Sequence, residues 1–278
     1  MSIKKEIQTQ IIHAVETVKQ TNPMAGSVTN TVTINFVANA QLAVGGSAAM
    51  VYMPDEAQFL ARAGGAAYIN LGTIEPVYEK TLPGMAKILH NSGKPWVLDP
   101  VAIGIGDLRT RLLLTFKDCK PSIIRGNASE IMALAGLWGL DGGTETSNVR
   151  GVDSQDPVSA ARDAAVALAR WTGGAVAVSG RQDLITNGSI TAFSHGGSHF
   201  MEKITGSGCS LGGVMAVYAT AASGFIAALT GTAIYNLAGR RAAEKTDGPA
   251  SFQVHFLDEL YKAKPTEIAD NPFDIEEV

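Results

Sequence analysis

The stretch Ala66-Ala67-Tyr68-Ile69-Asn70-Leu71-Gly72 is a short apolar run that ends in a glycine, and such a run is typical of a buried parallel strand. Three further runs of this kind occupy residues 96–100, 122–126 and 175–180. Helical patterns lie beside them at residues 55–63, 81–89, 130–137 and 157–171. Strands that alternate with helices predict a doubly wound α/β fold, in which helices flank a mainly parallel sheet. Residues 183–194 then alternate around Asn187-Gly188, which predicts a hairpin.

Polar residues follow several of these predicted strands at the point where each one ends. They are Asn70, Asp99, the segment Arg125-Gly126-Asn127, and Ser179. In open α/β sheets, ligands bind outside the carboxyl ends of the strands. We therefore expect these residues to lie beside a ligand.

Length and composition restrict the class of protein. The chain has 278 residues, 46% of them hydrophobic, and a net charge of −4, with no basic run that would track nucleic-acid phosphates. No linker or repeat divides it, so we expect a single domain over residues 1–278 with a loose acidic tail at 265–278. Two distant cysteines, Cys119 and Cys209, argue against disulfides and favour a cytoplasmic location.

Neither the N-terminal segment nor the apolar segment 211–237 predicts a membrane protein. The N-terminal pattern, with Ile11, Ile12, Val15 and Val18 spaced around one face, indicates an amphipathic helix rather than a signal peptide. Residues 211–237 are apolar, but glycines, a serine and an asparagine interrupt them. We interpret this segment as two buried core helices, with no membrane partner.

The segment Lys203-Ile204-Thr205-Gly206-Ser207-Gly208-Cys209 leads directly into the first of these helices. A glycine loop at a helix N-terminus exposes unpaired backbone N–H groups in the positive part of the helix dipole, and it can cradle a phosphate. The helix N-terminus lowers the pKa of the Cys209 thiol and favours partial ionisation, whereas a bound phosphate would raise that pKa, so both protonation states are open. The alternative is a tight turn with a small buried cysteine.

Two carboxylates and one guanidinium complete the predicted phosphate site. Asp99 and Glu130 each follow a strand, and hard oxygen ligands of this kind suit Mg²⁺, while Arg125 suits phosphate. The alternatives are a turn-stabilising Asp99 and a capping box formed by Asn127 and Glu130. Neither a Walker A motif nor a protein-kinase glycine loop is present.

Several other polar and sulfur-containing residues are open to two interpretations. Asn35 and Asn39 share a predicted helix face, where they would bind a polar ligand, form a buried network or be exposed. Met50 would line an aromatic substrate or fill the core, and Met53 is predicted to fill the core. His195 and His199 flank a glycine pair and are predicted to lie in a loop.

Six segments along residues 23–261 occur in the same order as in a known protein family. They are Val28-Thr29-Asn30 through Asn39, Ser47-Ala48-Ala49-Met50, Leu98-Asp99-Pro100-Val101, Ile124-Arg125-Gly126-Asn127 with Glu130, Thr205-Gly206-Ser207-Gly208-Cys209, and Gly248-Pro249-Ala250-Ser251-Phe252-Gln253. In these segments the chain resembles the hydroxyethylthiazole kinase family of the ribokinase-like superfamily. Cysteine in the Thr-Gly-x-Gly-Cys motif is specific, because most relatives in the superfamily carry Asp there.

The resemblance implies ATP-dependent phosphorylation of 4-methyl-5-(2-hydroxyethyl)thiazole in thiamine salvage, with Mg²⁺ as cofactor. It implies a homotrimer whose substrate sites lie between subunits. It implies that Cys209 lies next to the substrate hydroxyl. It also implies that Asp99 and Glu130 serve Mg²⁺. Thiazole contacts would come from Met50 and Gly206, with Asn35 and Asn39 as further candidates, and ATP contacts from Arg125, Ser179, Thr205, Ser207 and Gly208.

The chain departs from the family pattern at three places close to these motifs. Gly26 stands where the family has His, Ala102-Ile103-Gly104-Ile105 replaces Gly-Val-Gly-Ala, and Ser210 follows the cysteine. A changed substrate preference is therefore one alternative, with hydroxymethylpyrimidine or pyridoxal as the alcohol. A non-catalytic thiazole- or nucleotide-binding protein is the other.

Overall fold

A computed structural model describes residues 2–145 and 158–278 and contains one sheet of nine strands within these ranges. The strand order is β2-β1-β3-β4-β5-β6-β7-β8-β9. Neighbours from β2 to β6 pair in parallel, whereas β7, β8 and β9 are added antiparallel. The strands are β1 (Met24–Val28), β2 (Ser47–Met50), β3 (Ala66–Asn70), β4 (Trp96–Asp99), β5 (Ile123–Asn127), β6 (Ala175–Ser179), β7 (Asp183–Thr186), β8 (Ile190–Ser194) and β9 (Phe273–Glu277).

Helices cover both faces of the sheet, so the predicted doubly wound α/β fold is confirmed. One face packs against α1 (Ile3–Thr21), α2 (Ile34–Ala43), α8 (Ser207–Ala219), α9 (Gly224–Ala243), α10 (Pro249–Lys262) and α11 (Pro265–Ala269). The other face packs against α3 (Pro54–Ala63), α4 (Tyr78–Ser92), α5 (Asp107–Cys119), α6 (Ala128–Leu137) and α7 (Arg162–Thr172). A 3₁₀ turn, Val158–Ala161, precedes α7. Pro157, at the start of the predicted helix 157–171, lies outside the described residues.

The central strands are buried on both faces, which explains their unbroken apolar sequences. Every residue of β3 and β4 is buried. Along β3, Tyr68 belongs to the core on the α8 side and Ile69 to the core on the α4 side. Burial on both faces removes the polar alternation of a half-exposed strand. The four predicted central strands and the hairpin are confirmed.

The apolar segment at 211–237 forms two helices, as predicted. Helix α8 ends at Ala219, and α9 begins at Gly224 after a Ser223 cap that accepts a hydrogen bond from the N–H of Ile226. Nearly all residues of both helices after the first turn of α8 are buried in the protein core. In the described parts of the chain, no helix combines the length and hydropathy needed to cross a bilayer.

The prediction of a loose tail at 265–278 is wrong. Residues Pro265–Ala269 form α11, and Phe273–Glu277 form β9, which pairs with β8 along its whole length. Phe273 is buried, and the N–H of Val278 donates to the carbonyl of Ser189. Acidic composition suggested solvation, but the alternating apolar residues Phe273 and Ile275 pack on the sheet while the carboxylates face outwards.

Candidate active site

Four central strands end in polar residues that lie side by side, and we call these ends together with the first turn of α8 the rim. Asn70 of β3 pairs with Asp99 of β4, and Asn127 of β5 pairs with Ser179 of β6. The start of α8 crosses these ends. The predicted gathering of strand-end side chains is therefore confirmed.

Asp99 is a fully buried carboxyl group at the centre of the rim. Its Oδ2 accepts hydrogen bonds from the Tyr68 hydroxyl and from Asn70 Nδ2, each at 2.9 Å, and it lies 3.2 Å from Arg125 Nη1. Burial raises the pKa of Asp99, while Arg125 and the two hydrogen bonds act in the opposite direction. Three neighbouring side chains thus hold this carboxyl in one orientation.

Arg125 is a buried cation whose Nε–H is unpaired among the described residues. Its Nη1 pairs with Asp99 and its Nη2 donates to Ser179 Oγ at 3.2 Å. Among the described residues its Nε has no hydrogen-bond partner, although the atom is buried. Burial lowers the pKa of Arg125, but the charges of Asp99 and Glu130 outweigh this and raise it above its ordinary value. The guanidinium therefore stays charged, and its Nε–H can donate to an anionic oxygen.

The glycine loop lies against this cation. Gly206 has φ of +91°, which favours glycine, and it caps α8 at Ser207. A Cβ at Gly208 would lie 2.5 Å from Arg125 Nη2, so only a glycine allows this approach. The first N–H groups of α8 have no intrahelical acceptor and carry the positive end of the dipole. Helix N-terminus and guanidinium together can bind a phosphate group.

Cys209 lies in the first turn of α8, close to two asparagines. Its Sγ is 3.5 Å from Asn30 Nδ2 and 3.4 Å from Asn70 Nδ2. Burial and the charge of Asp99 raise the pKa of the thiol, although Arg125, Thr33 and Asn30 oppose them. This shift favours the neutral thiol, whereas a helix N-terminus alone would favour ionisation, so the ionisation state of Cys209 stays a prediction.

Glu130 forms the capping box that the sequence suggested as an alternative to metal binding. Its Oε2 accepts from the N–H of Asn127 at 2.9 Å, and Asn127 Oδ1 accepts from the N–H of Glu130. Its Oε1 accepts from the N–H of Ala102 at 3.3 Å. Burial and the neighbouring Asp99 raise the pKa of Glu130 to about 7. The cap is confirmed, and a metal role stays a prediction.

Three of the predicted substrate residues lie towards the β2 side of the molecule. Met50 is half-buried at the carboxyl end of β2, where it packs against the core. Asn35 and Asn39 are exposed on α2, and Asn39 Nδ2 donates to Asn35 Oδ1 at 3.0 Å. The buried-network interpretation of this pair is therefore wrong, and the ligand role stays a prediction.

The flanks of the glycine loop face away from one another. Thr205 is exposed, whereas the Ser207 hydroxyl donates to the carbonyl of Met201 at 2.8 Å. The side chain of Ser207 is thus engaged with the backbone, and only its N–H is free to meet a ligand. Both ATP-binding assignments stay predictions.

Position 26, where the chain departs from the family pattern, faces helix α3. A Cβ at Gly26 would lie 3.0 Å from both Cβ and Cδ1 of Leu60. A histidine here would meet α3 rather than the start of α8. Within one chain, the substitution therefore acts through the packing of α3.

Two buried residues of the rim were not singled out as site residues from the sequence. Tyr68 lies within an apolar strand, where nothing marks its hydroxyl as a donor to Asp99. Asn30 occurs in a recognised motif, but its contact with Cys209 joins residues 179 positions apart. Strand β1, which ends two residues before Asn30, was not predicted, so no sequence signal placed this side chain at the rim.

Comparisons with known proteins show which family this chain resembles over most of its length. The sequence model of the "Hydroxyethylthiazole kinase family" matches residues 15–266. A hydroxyethylthiazole kinase of Bifidobacterium longum subsp. infantis is 47% identical, and the match covers 95% of this chain and 90% of the relative. The structure of a hydroxyethylthiazole kinase protein from Pyrococcus horikoshii superposes with a TM-score of 0.83 at 28% identity, covering 96% and 98% of the two chains. A pyridoxal kinase from Staphylococcus aureus, at 14% identity, 92% and 99% coverage and a TM-score of 0.60, shares the fold.

Proposed function

The chain belongs to the hydroxyethylthiazole kinase family, and we propose that it phosphorylates the hydroxyl of 4-methyl-5-(2-hydroxyethyl)thiazole with ATP, a step of thiamine salvage. The observation that best supports this is the buried Arg125 cation, whose Nη1 and Nη2 lie beside Gly208 at the N-terminus of α8 and whose Nε–H has no partner among the described residues. A buried N–H without a partner is costly, and a phosphate oxygen would satisfy it.

The rim supplies what phosphoryl transfer needs. In the reaction, the alcohol oxygen bonds to the terminal phosphorus of ATP, the bond from that phosphorus to the ADP oxygen breaks, and the alcohol proton is released. Positioning and charge stabilisation provide most of the catalysis in such reactions. N–H groups of the glycine loop and Arg125 would bind the transferred group, while Cys209, a neutral thiol, would lie beside the alcohol.

Mg²⁺ fits this site as an ion that arrives with ATP. Within residues 2–145 and 158–278, no three His, Cys, Asp or Glu side chains form a metal-binding cluster. Mg²⁺ needs few protein ligands, because it keeps several waters and binds substrate phosphates. Asp99 and Glu130 are hard oxygen donors whose orientations are already fixed. They would hold the ion's water ligands or bind it directly, and the ion would offset phosphate charge.

A homotrimer with shared substrate sites agrees with the surface beside β2. Phe59 and Met53 are 65% and 52% exposed, although both are large and apolar. The prediction that Met53 fills the core is wrong, because it lies just before α3 and points outwards. Together with the small residues of 38–50, these side chains provide apolar surface next to Met50. Location in the cytoplasm belongs to the same proposal.

Release of ADP in a coupled assay tests the proposed function. We expect ADP to appear only when the thiazole alcohol is present, and Arg125→Ala to abolish it. ADP release with hydroxymethylpyrimidine or pyridoxal alone would favour the alternative alcohols. Binding of the thiazole or of ATP without turnover would favour a non-catalytic protein.

A further inference from the structure

Thr33, just before α2, carries a buried hydroxyl without a partner. The residue is 5% exposed, and its Oγ1 forms no hydrogen bond to any side chain or backbone group of residues 2–145 and 158–278. Burial removes a hydroxyl from water, so leaving it unpaired destabilises the protein. Such a group is expected where a ligand completes the hydrogen bonding.

This hydroxyl lies between the thiol and the glycine loop. The backbone N–H of Thr33 donates to Asn30 Oδ1 at 3.1 Å, and the side chain of Asn30 in turn contacts Cys209. The Thr33 side chain is among the groups that lower the pKa of the Cys209 thiol, so the two side chains are neighbours, although they do not meet in hydrogen-bond geometry. A Cβ at Gly206 would lie 2.9 Å from Cβ and Cγ2 of Thr33, so the two residues touch. Thr33 therefore borders both the proposed phosphate cradle and the residue beside the alcohol.

We propose that Thr33 binds the alcohol group of the substrate, with its Oγ accepting a hydrogen bond from the alcohol O–H. This contact would direct a lone pair of the alcohol oxygen towards the phosphoryl group at the glycine loop. Thr33 stays a neutral hydroxyl, and no covalent bond to it forms or breaks. The inference rests on the proposed function, because it names the group of this chain that meets the acceptor alcohol.

The consequence is discrimination between an alcohol and its analogue without the hydroxyl. A site built to hydrogen-bond a hydroxyl rejects a ligand that lacks one, because the buried polar group is then left unpaired. The pair 4-methyl-5-(2-hydroxyethyl)thiazole and 5-ethyl-4-methylthiazole differs in this group alone. Titration calorimetry on the full chain, without ATP, measures the two affinities directly.

Three forms of the protein make the test specific. We expect the unaltered protein to bind the alcohol about 10-fold more tightly than the ethyl analogue, which corresponds to one hydrogen bond. Thr33→Val keeps the shape and removes the hydroxyl, so it should bind both equally. Thr33→Ser restores the hydroxyl and should restore the preference. If Thr33→Val does not fold, Thr33→Ala replaces it in the same comparison.

A matched control separates ligand binding from relief of an unpaired group. The Tyr218 hydroxyl, on α8 within the core, is also buried without a partner among the described residues. Tyr218→Phe and Thr33→Val should both keep or raise the melting temperature. Only Thr33→Val should lose the preference for the alcohol.

The outcomes distinguish this inference from the proposed function. Equal preferences in Thr33→Val and the unaltered protein would overturn it, as would an unaltered protein that binds both thiazoles equally. A Thr33→Val variant that loses ATP affinity instead would also overturn it. A protein that prefers the alcohol through Thr33 but releases no ADP would support the binding role and refute the kinase function.

Discussion

Burial and the neighbouring Asp99 raise the pKa of the Cys209 thiol, which favours its neutral form. We therefore expect it to position the alcohol rather than to take its proton. Cys209→Ala should lower kcat by at most about 100-fold and leave the KM for ATP unchanged. Cys209→Ser, the matched control, should stay within about 10-fold of the unaltered enzyme. Steady-state rates between about pH 6 and pH 8 check this. If Cys209 acted as a base, kcat of the unaltered enzyme would rise with pH, while kcat of Cys209→Ala and Cys209→Ser would not.

Glu130 combines a structural bond with a charge. Because its two oxygens accept from two different N–H groups, Glu130→Gln can keep only one of these bonds. We expect a loss of about 1–2 kcal/mol in the free energy of unfolding. We also expect kcat to fall by about 10-fold or more through the lost charge. Asn127→Ala is the control, since it breaks the cap bond and keeps the carboxylate. If Glu130→Gln kept full kcat across a Mg²⁺ titration, the carboxylate would have no catalytic role and would serve only as a helix cap.

Strand β1 and helix α3 are packed closely at Gly26. Because a Cβ there would touch Leu60 at 3.0 Å, Gly26→Ala should destabilise the fold by about 1–3 kcal/mol. Leu60→Ala alone should cost about 2–5 kcal/mol by leaving a cavity. In the double variant the new methyl group enters that cavity, so the loss should be smaller than the sum. Denaturant unfolding of the four proteins measures the coupling, and strict additivity would contradict the contact.

Asp183, at the start of β7, makes stability depend on pH. Its oxygens accept from the N–H of Gly180 and from Asn236 Nδ2, and burial raises its pKa from 3.8 to about 6. Losing the proton costs more in the folded chain than in the unfolded chain. The free energy of unfolding should therefore fall, relative to Asp183→Asn, by about 1–3 kcal/mol between about pH 4 and pH 7. Parallel pH profiles would mean that Asp183 titrates normally.

At the scale of the whole molecule, helix α3 exposes the large apolar side chain of Phe59, which a second subunit would cover in a trimer. Phe59→Glu should produce monomers and raise the KM for the thiazole about 10-fold or more, because a shared site would be incomplete. Leu114→Glu, on α5, changes another exposed apolar residue and should leave the assembly intact. Light scattering with parallel kinetics measures both. An unaltered protein that is active as a monomer would contradict the trimer.

The sequence alone determined the central sheet, the helices around it and the hairpin, because alternation of apolar runs and turn residues is a local signal. It also identified Asp99, Arg125, Glu130 and the glycine loop as chemical groups. Strands β1 and β2 were missed, since Gly26, Ser27 and Ser47 weaken the apolar pattern. Strand β9 was missed because its charged residues suggested a solvated tail.

Only the tertiary structure decided how these groups behave. Burial and Asp99, 110 positions earlier in the chain, raise the pKa of the Cys209 thiol and so oppose the ionisation that its place at a helix N-terminus suggests. Gly26 faces Leu60 rather than the glycine loop, and the Thr33 hydroxyl is buried without a partner among the described residues. Burial, electric fields and unpaired donors depend on neighbours in space, and the order of residues along the chain does not specify those neighbours.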